Sequence, residues 1–263
     1  MARSKALLNV LNLVSVEELP IETQFLNDYK YSVEVEAQKS KRKPSKTYKP
    51  SSLHCIRNMY FQVMGADTEG ERASSELIGI GESGTDRHER IQTDVIHMKD
   101  SGIDCVYVDV AEYIEAHKET ITDLSVIGKN GCETKLHDNV HNITFLCDGI
   151  IRYKSKYYIL EIKTETGNKF WDRKGVDGSH ILQGTAYSTL LKIDNVLFLY
   201  ECRDTCNKKA FMFTPTQQQK DDLLSKIALC DTYVERQIAP PKPENLAKKH
   251  CAYCNYSELC KKV

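Results

Sequence analysis

The stretch from residue 143 to residue 163 constrains the fold more than any other part of this sequence. It holds two runs rich in Ile, Tyr and Phe, ITFLCDGIIRY and KYYILEIK, which meet at Lys154 and Ser155. Two such runs on either side of a two-residue turn predict an antiparallel β-hairpin. A turn with an odd number of residues would shift the pairing by one and send every side chain to the other face.

Three charged side chains belong to this predicted hairpin. With the turn centred between its two residues, Asp148 lies directly opposite Glu161, and Lys163 lies on the same face two residues further along. Facing carboxylates repel each other, which favours a cation between them, and their hard oxygen atoms suit Mg²⁺ or Mn²⁺. The adjacent amine can then assist a water that attacks a phosphodiester. The alternative is a pair of exposed surface acids, which the apolar neighbours disfavour.

The rest of the chain shows alternating helix and strand signals. Helices are predicted over residues 52–64, from Thr85 onwards, 179–192 with Ser179 as the N-cap, and 216–238, and strands or short buried segments over 103–110, 121–127 and 195–202. Gly81 to Gly84 predict a loop before the second helix. This order predicts a mixed α/β domain. We expect an N-terminal segment with a basic arm, a central core and a cysteine-bearing tail, over residues 1–50, 51–238 and 239–263.

Ten cysteines are present, and three of them stand close together near the end of the chain. Cys251, Cys254 and Cys260 have the spacing C-x2-C-x5-C, and Cys55 is the candidate for a fourth ligand. Four thiolates can hold either zinc or an iron–sulfur cluster, while unrelated free thiols are the alternative. Such a site would cross-link distant parts of the chain. Cys202 and Cys206, spaced C-x3-C, and the remaining cysteines are expected to be free thiols.

Charge and hydropathy narrow the class of protein. The 263 residues carry a net charge of −1, so any contact with nucleic acid depends on local basic patches. The run 39–49 has six basic residues and no acid, and is either a phosphate-contacting arm or a solvated loop. Asn9 and Asn12 interrupt the apolar start, which disfavours a signal peptide, and no apolar run is long enough to span a membrane. A cytoplasmic location, in a bacterial or phage-infected cell, is expected.

The hairpin resembles the motif of the PD-(D/E)xK nuclease superfamily. Asp148 and the run Glu161-Ile162-Lys163 match its two acids and its lysine, although Cys147 stands where the name of the motif has a proline. The resemblance implies that both acids hold a divalent metal ion and that the lysine assists the attacking water. It also implies a restriction-endonuclease-like core, in which helices flank a mixed central sheet.

A second motif resembles the RecB-like branch of this superfamily. Gln183 and Tyr187, in the run QGTAY, match its Q-x-x-x-Y helix, and their spacing puts both on one helix face. They would reach a DNA strand or support the catalytic acid and lysine. The branch carries a further metal-binding histidine, for which His88 is the better match and His97 the second choice. The main-chain carbonyl of Ile162 is a plausible additional ligand.

The cysteines resemble those of the iron–sulfur nucleases of the same branch, which include CRISPR-associated adaptation nucleases and the nuclease domains of helicase–nucleases. There, one cysteine precedes the catalytic core and three follow it, as Cys55 and Cys251, Cys254 and Cys260 do here. The resemblance implies a [4Fe–4S] cluster in a helical region that joins the N- and C-terminal parts, with Zn²⁺ as the alternative. It covers about residues 52–260.

Together these features predict a metal-dependent DNA exonuclease that favours single strands or free ends. Expected phosphate contacts are the basic run, Arg152, Lys169, Arg173 and Lys174, and Trp171 would stack on a base or pack in the core. Without a recognisable nucleotide-binding loop, the chain would act alone or with a helicase or recombination partner, and phage DNA metabolism is one setting that suits it. A non-catalytic nucleic-acid-binding protein with a metal-stapled fold and an RNase are the alternatives.

Overall fold

The predicted hairpin is present in the computed structural model, which describes residues 19–39, 45–67, 74–243, 251 and 254–263. Ile150 pairs with Ile159, and this register is the one expected from the sequence. Lys154 and Ser155 have φ of 47° and 65°. Positive φ at both central residues is typical of the tight turn that matches the twist of two antiparallel strands.

The helices and strands are numbered here in chain order. The described helices are α1 (Ile21–Lys39), α2 (Ile56–Val63), α3 (Ser75–Ile96), α4 (Val110–Ala116), α5 (Gly167–Asp172), α6 (Gly178–Leu191), α7 (Gln217–Arg236) and α8 (Ser257–Lys262). The described strands are β1 (Cys105–Val108), β2 (Leu124–Asn130), β3 (Glu133–Asp138), β4 (Ile143–Cys147), β5 (Gly149–Tyr153), β6 (Lys156–Glu165), β7 (Val196–Cys202) and β8 (Lys208–Phe213). None of the helices within these ranges is long and apolar enough to cross a membrane.

Contacts divide the chain into two units. One comprises Met1–Lys41 and Arg72–Ile80, and the other comprises Arg42–Glu71 and Gly81–Val263. Within the first, Lys30 of α1 forms an ion pair with Glu76 at 2.6 Å. The sheets and the candidate site belong to the second unit, which includes α3 from Gly81 onwards.

The second unit is built around a mixed five-stranded sheet. Its strand order is β1-β5-β6-β7-β8, in which β6 and β7 run parallel and the other neighbours antiparallel. On one face, α3 packs through Ile91 onto Ile162 of β6. On the other face, Leu190 of α6 and Ile227 of α7 belong to the same core as Phe198 of β7. The prediction of a mixed α/β core, with helices flanking a central mixed sheet, is confirmed.

The first arm of the hairpin differs from the prediction. It consists of two strands, because β4 ends one residue before Asp148 and joins a separate sheet with the order β2-β3-β4. Asp148 therefore lies at the point where the chain passes from one sheet to the other. Gly149 makes this passage possible, since a Cβ there would lie 2.6 Å from the ring of Tyr107.

The predicted loop at Gly81 to Gly84 is wrong. Both glycines lie inside α3, which continues without a break and places His88 in the middle of a long helix instead of its first turn. Each glycine costs a helix about 1 kcal/mol relative to alanine. Burial of Ile91 and Val95 against the sheet offsets this cost. Similarly, the side chain of Asp177, and not Ser179, caps α6 by accepting from the Ser179 amide at 2.9 Å.

A buried carboxylate fixes α3 on the sheet. Glu201 of β7 is fully buried and pairs with Arg87 (2.8 Å), Arg90 (2.6 Å) and Lys208 (3.2 Å). Burying a charge is costly unless it is paired, and three cations provide that pairing here. Since His88 stands between the two arginines on α3, this cluster also sets the position of His88.

Replacing Glu201 by glutamine is expected to lower the free energy of unfolding by about 3 kcal/mol, because the change leaves clustered cations without their carboxylate. Urea denaturation followed by circular dichroism measures the effect. Asp94→Asn is the matched control, since Asp94 is exposed and lies 3.6 Å from the same Arg90. The control should change stability by less than about 0.5 kcal/mol. Equal effects of both changes would contradict the anchoring role.

Candidate functional site

Asp148 is held in place from several directions. Its Oδ2 accepts a hydrogen bond from the Ile162 amide of β6 at 2.7 Å. Its carbonyl accepts from Gln92 of α3 (2.6 Å) and from the hydroxyl of Tyr107 in β1 (2.7 Å). The residue is buried. Its carboxylate is therefore fixed beside β6, and the other carboxylate oxygen, Oδ1, faces a second set of side chains.

Glu161 extends from the middle of β6 and is also buried. Its Oε1 accepts from Lys163 (2.5 Å) and from the amide nitrogen of Gln183 (2.7 Å). Its Oε2 is buried and has no hydrogen-bond partner among the described residues. Burial, reinforced by the Asp148 charge, raises the pKa of Glu161. A buried carboxylate oxygen without a donor is costly, and a cation is the species that would stabilise it.

Lys163 and two residues of α6 surround the other oxygen of Glu161. The Oε1 of Gln183 accepts from Lys163 at 2.9 Å, and its amide donates to the hydroxyl of Tyr187 at 2.7 Å. Tyr187 is buried and donates to the Leu146 carbonyl at 3.0 Å. Tyr187 thus reaches Glu161 through Gln183, and its contact with a DNA strand stays a prediction.

His88 approaches Asp148 from α3 and brings a third acid with it. Its Nδ1 lies 3.5 Å from Oδ1 of Asp148 and 3.3 Å from Oε1 of Glu133. Ligand atoms of these three residues lie within 4.8 Å of one another, so they form a possible metal site. Burial disfavours the charged imidazole, but the two carboxylates outweigh it and raise the pKa of His88 to about 10. Metal binding would therefore release a proton from His88.

Glu133 was missed by the sequence analysis. It begins β3, a strand that we did not predict, and reaches the site through the second sheet. The alternating run ETKLHD is the signal that would have indicated the strand. His97, the second choice for the histidine ligand, is exposed beyond the end of α3 and does not belong to the group. The Ile162 amide is used by Asp148, and a metal-binding role of its carbonyl stays a prediction.

The four cysteines lie apart from this site. Cys55, Cys251, Cys254 and Cys260 line one cavity of about 610 Å³. Among the residues that the structure describes, no three of their sulfur atoms lie within 4.8 Å of one another. The thiols therefore do not form a compact ligand set for a single ion.

Neighbouring side chains donate to two of these sulfur atoms. Arg57 Nε donates to Cys260 at 3.0 Å and Asn58 to Cys254 at 3.3 Å. Arg57 is buried and also donates to the carbonyls of Pro240 and Val263. Arg57 and Cys260 are 203 positions apart. Helix α2 and the end of the chain are thus joined directly by protein hydrogen bonds.

The predicted phosphate contacts have different surroundings. Lys169, Trp171 and Lys174 are exposed, and Arg152 is half-buried. Arg173 is instead committed to the fold, because it forms two 2.6 Å hydrogen bonds to the carboxylate of Glu165. Residues 40–44 of the basic run lie outside the described residues.

No protein-family model matches the sequence, and no sequence relative is found among characterised proteins. Among solved structures with a similar backbone, the crystal structure of SSO0001 covers 89% of this chain and 96% of its own, with 14% identity and a TM-score of 0.48. An alkaline exonuclease (LHK-Exo) from Laribacter hongkongensis covers 74% of this chain and 90% of its own, with 12% identity and a TM-score of 0.41. With TM-scores below 0.5, these similarities carry no argument about the site.

Proposed function

We propose that this chain is a divalent-metal-dependent nuclease that hydrolyses phosphodiester bonds of DNA, at single strands or free ends. The observation that carries the proposal is that Asp148 accepts from the Ile162 amide, between Glu161 and Lys163 on β6, and that a buried oxygen of Glu161 lacks a donor among the described residues. This combination fits the PD-(D/E)xK pattern that the sequence resembles. Four further side chains, His88, Gln183, Tyr187 and Glu133, support it.

The donor set fits Mg²⁺ or Mn²⁺. Asp148, Glu133 and His88, whose ligand atoms lie within 4.8 Å of one another, would hold the ion. Glu161, which is not part of this close group, and the Ile162 carbonyl would complete its ligands, and carboxylate oxygen atoms are the ligands that these ions prefer. When bound, such an ion makes a water more acidic and offsets negative charge on the phosphate.

Lys163 is the group of this chain that acts on the substrate in our proposal. An ammonium has three hydrogen atoms to donate, and Lys163 uses two of them on Glu161 and Gln183. The third has no acceptor among the described residues and is available for the attacking water or a phosphate oxygen. Gln183 orients both partners, because it donates to Glu161 and accepts from Lys163.

We further propose that the four cysteines hold a [4Fe–4S] cluster with a structural role. A tetrahedral zinc ion, with Zn–S distances of about 2.3 Å, needs sulfur atoms in close mutual contact. A four-iron cluster separates its ligands more widely, and all four cysteines line one cavity of about 610 Å³. Donors to cysteine sulfur, here Arg57 and Asn58, are typical of the surroundings that tune such clusters.

Glu133→Gln is expected to weaken Mn²⁺ binding by about 10- to 100-fold, because the change removes one anionic ligand and leaves the fold of β3 intact. Isothermal titration calorimetry measures the affinity. Glu112→Gln is the control, since Glu112 is an exposed acid on α4, and it should bind Mn²⁺ as the wild type does. Equal affinities of the Glu133 variant and the wild type would exclude Glu133 from the site.

The substrate is tested with end-labelled DNA and RNA of one sequence, each as a single strand and as a duplex. We expect cleavage of the DNA with Mg²⁺ or Mn²⁺, fastest on single strands or frayed ends, and none with EDTA. Products that shorten progressively from an end would indicate an exonuclease. Cleavage of RNA alone would favour the RNase, and binding without cleavage would favour a non-catalytic nucleic-acid-binding protein.

A further inference from the structure

His180 shares a helix face with the residues that support the site. It stands in the first turn of α6, three residues before Gln183 and seven before Tyr187, and this spacing aligns side chains along one side of a helix. Gln183 contacts both Glu161 and Lys163. His180 therefore lies one helical turn from Gln183, which contacts Lys163, and the mechanism proposed above gives it no role.

Hydrogen bonds fix which nitrogen of His180 carries the hydrogen. The hydroxyl of Tyr200 lies 2.8 Å from Nδ1 of His180 and accepts from the Asp177 amide at 3.2 Å. Tyr200 is fully buried, and its hydroxyl hydrogen has no other acceptor among the described residues. A buried hydroxyl without an acceptor is costly, so Tyr200 donates to Nδ1. The hydrogen of the neutral ring then stands on Nε2.

The imidazole is also held neutral. Burial, followed by the nearby charge of Lys163, lowers the pKa of His180 to about 4. The other charged groups around it are Asp177, which raises this pKa, and Arg173 and Lys169, which lower it. Near pH 7 the side chain is a hydrogen-bond donor that carries no charge.

His180 is partly exposed, and its Nε2 has no partner among the described residues. His180 precedes by one helical turn Gln183, whose Oε1 accepts from Lys163, so a strand that reaches Lys163 passes close to this turn. Phosphate oxygen atoms are the acceptors that a DNA strand presents most regularly along its backbone.

We propose that His180 donates its Nε2 hydrogen to a backbone phosphate of the bound strand, next to the phosphodiester that is cleaved. The inference rests on the proposed nuclease function and assigns a substrate-binding residue to it. A neutral donor binds a phosphate oxygen without adding a positive charge beside the metal site. The ring stays in place because Tyr200 holds Nδ1.

The test is binding of a single-stranded oligonucleotide in EDTA, where hydrolysis does not interfere. His180→Phe keeps an aromatic ring next to Phe198 and removes the donor, and we expect a dissociation constant about 10-fold higher. His180→Gln restores an N–H at a similar place and should bind within about 3-fold of wild type. Tyr200→Phe tests the support of the ring, because it loses the same internal hydrogen bond but retains the imidazole, and its affinity should fall between those of wild type and His180→Phe.

A chemical comparison locates the contact. A set of oligonucleotides carries one uncharged methylphosphonate, each at a different linkage. At one linkage the wild type should lose affinity relative to the unmodified strand, whereas the affinity of His180→Phe should not change. Equal losses of affinity for both proteins at every linkage would overturn the proposal. Equally weakened binding by His180→Gln and His180→Phe, or no measurable binding by the wild type, would also overturn it. If binding follows the proposal while metal-loaded wild type cleaves nothing, the nuclease function fails and the His180 contact stands.

Discussion

Lys163→Ala is expected to lower the rate of DNA hydrolysis by at least about 1,000-fold, with little change in the affinity for DNA. The ammonium of Lys163 is held by Glu161 and Gln183 and keeps one hydrogen for the reacting groups. Loss of the amine leaves the acids in place but takes away the charge that faces the phosphate in the proposed mechanism. Single-turnover cleavage of labelled single-stranded DNA with Mn²⁺ measures the effect.

Lys156→Ala is the matched control for this change, because Lys156 stands on the same strand but is exposed at the turn. It should cleave at the wild-type rate. Glu161→Gln should lose activity as Lys163→Ala does and should also lose Mn²⁺ affinity, which separates a metal ligand from a group that acts on the substrate. Residual activity of Lys163→Ala within about 10-fold of wild type would remove the proposed mechanism.

Cys254→Ser is expected to give the second-largest effect, on the composition and stability of the protein. Wild type purified without oxygen should contain about four irons per chain and absorb broadly at about 400 nm. The variant should lose both the iron and the absorption. A cross-link that closes the long loop from Cys55 to Cys254 contributes about 3 to 5 kcal/mol to the free energy of unfolding. The thermal midpoint of the variant should therefore fall by many degrees.

Cys206→Ser provides the control for this experiment, because Cys206 is exposed in the connection between β7 and β8 and lies 3.8 Å from Arg87. It should keep the iron and the absorption. A colourless protein with one zinc per chain would contradict the cluster and favour the zinc alternative. Equal metal content of Cys254→Ser and wild type would show that the tail cysteines hold no metal.

The hairpin and its register could be predicted from the sequence because they depend on neighbouring residues. The alternation of Ile, Tyr and Phe gives the strands, and the two residues at the turn fix the pairing of Ile150 with Ile159. The face shared by Gln183 and Tyr187 follows from the helical repeat in the same way. Local patterns therefore contained most of the information about the candidate acids and lysine.

The remaining features depend on contacts between distant parts of the chain. Asp148 lies between two sheets because β4 pairs with β3, a strand whose alternation was not recognised. Glu133 enters the site through that pairing alone. The glycines of α3 stay helical because the following turns of the helix pack on the sheet. Local helix propensity does not predict this tertiary packing. The same limit applies to Arg57, whose partners lie at the other end of the chain.

The most direct test of the account is the position of Mn²⁺ in crystals, located by its anomalous scattering. The proposed chemistry requires one hard cation shared by the carboxylates of Asp148 and Glu161, with Lys163 beside it. We predict a peak within bonding distance of both acids, in which the buried oxygen of Glu161 becomes a ligand and Glu133 or His88 completes the set. Mn²⁺ bound without Glu161, or no peak between the two acids in crystals soaked at millimolar Mn²⁺, would contradict the account.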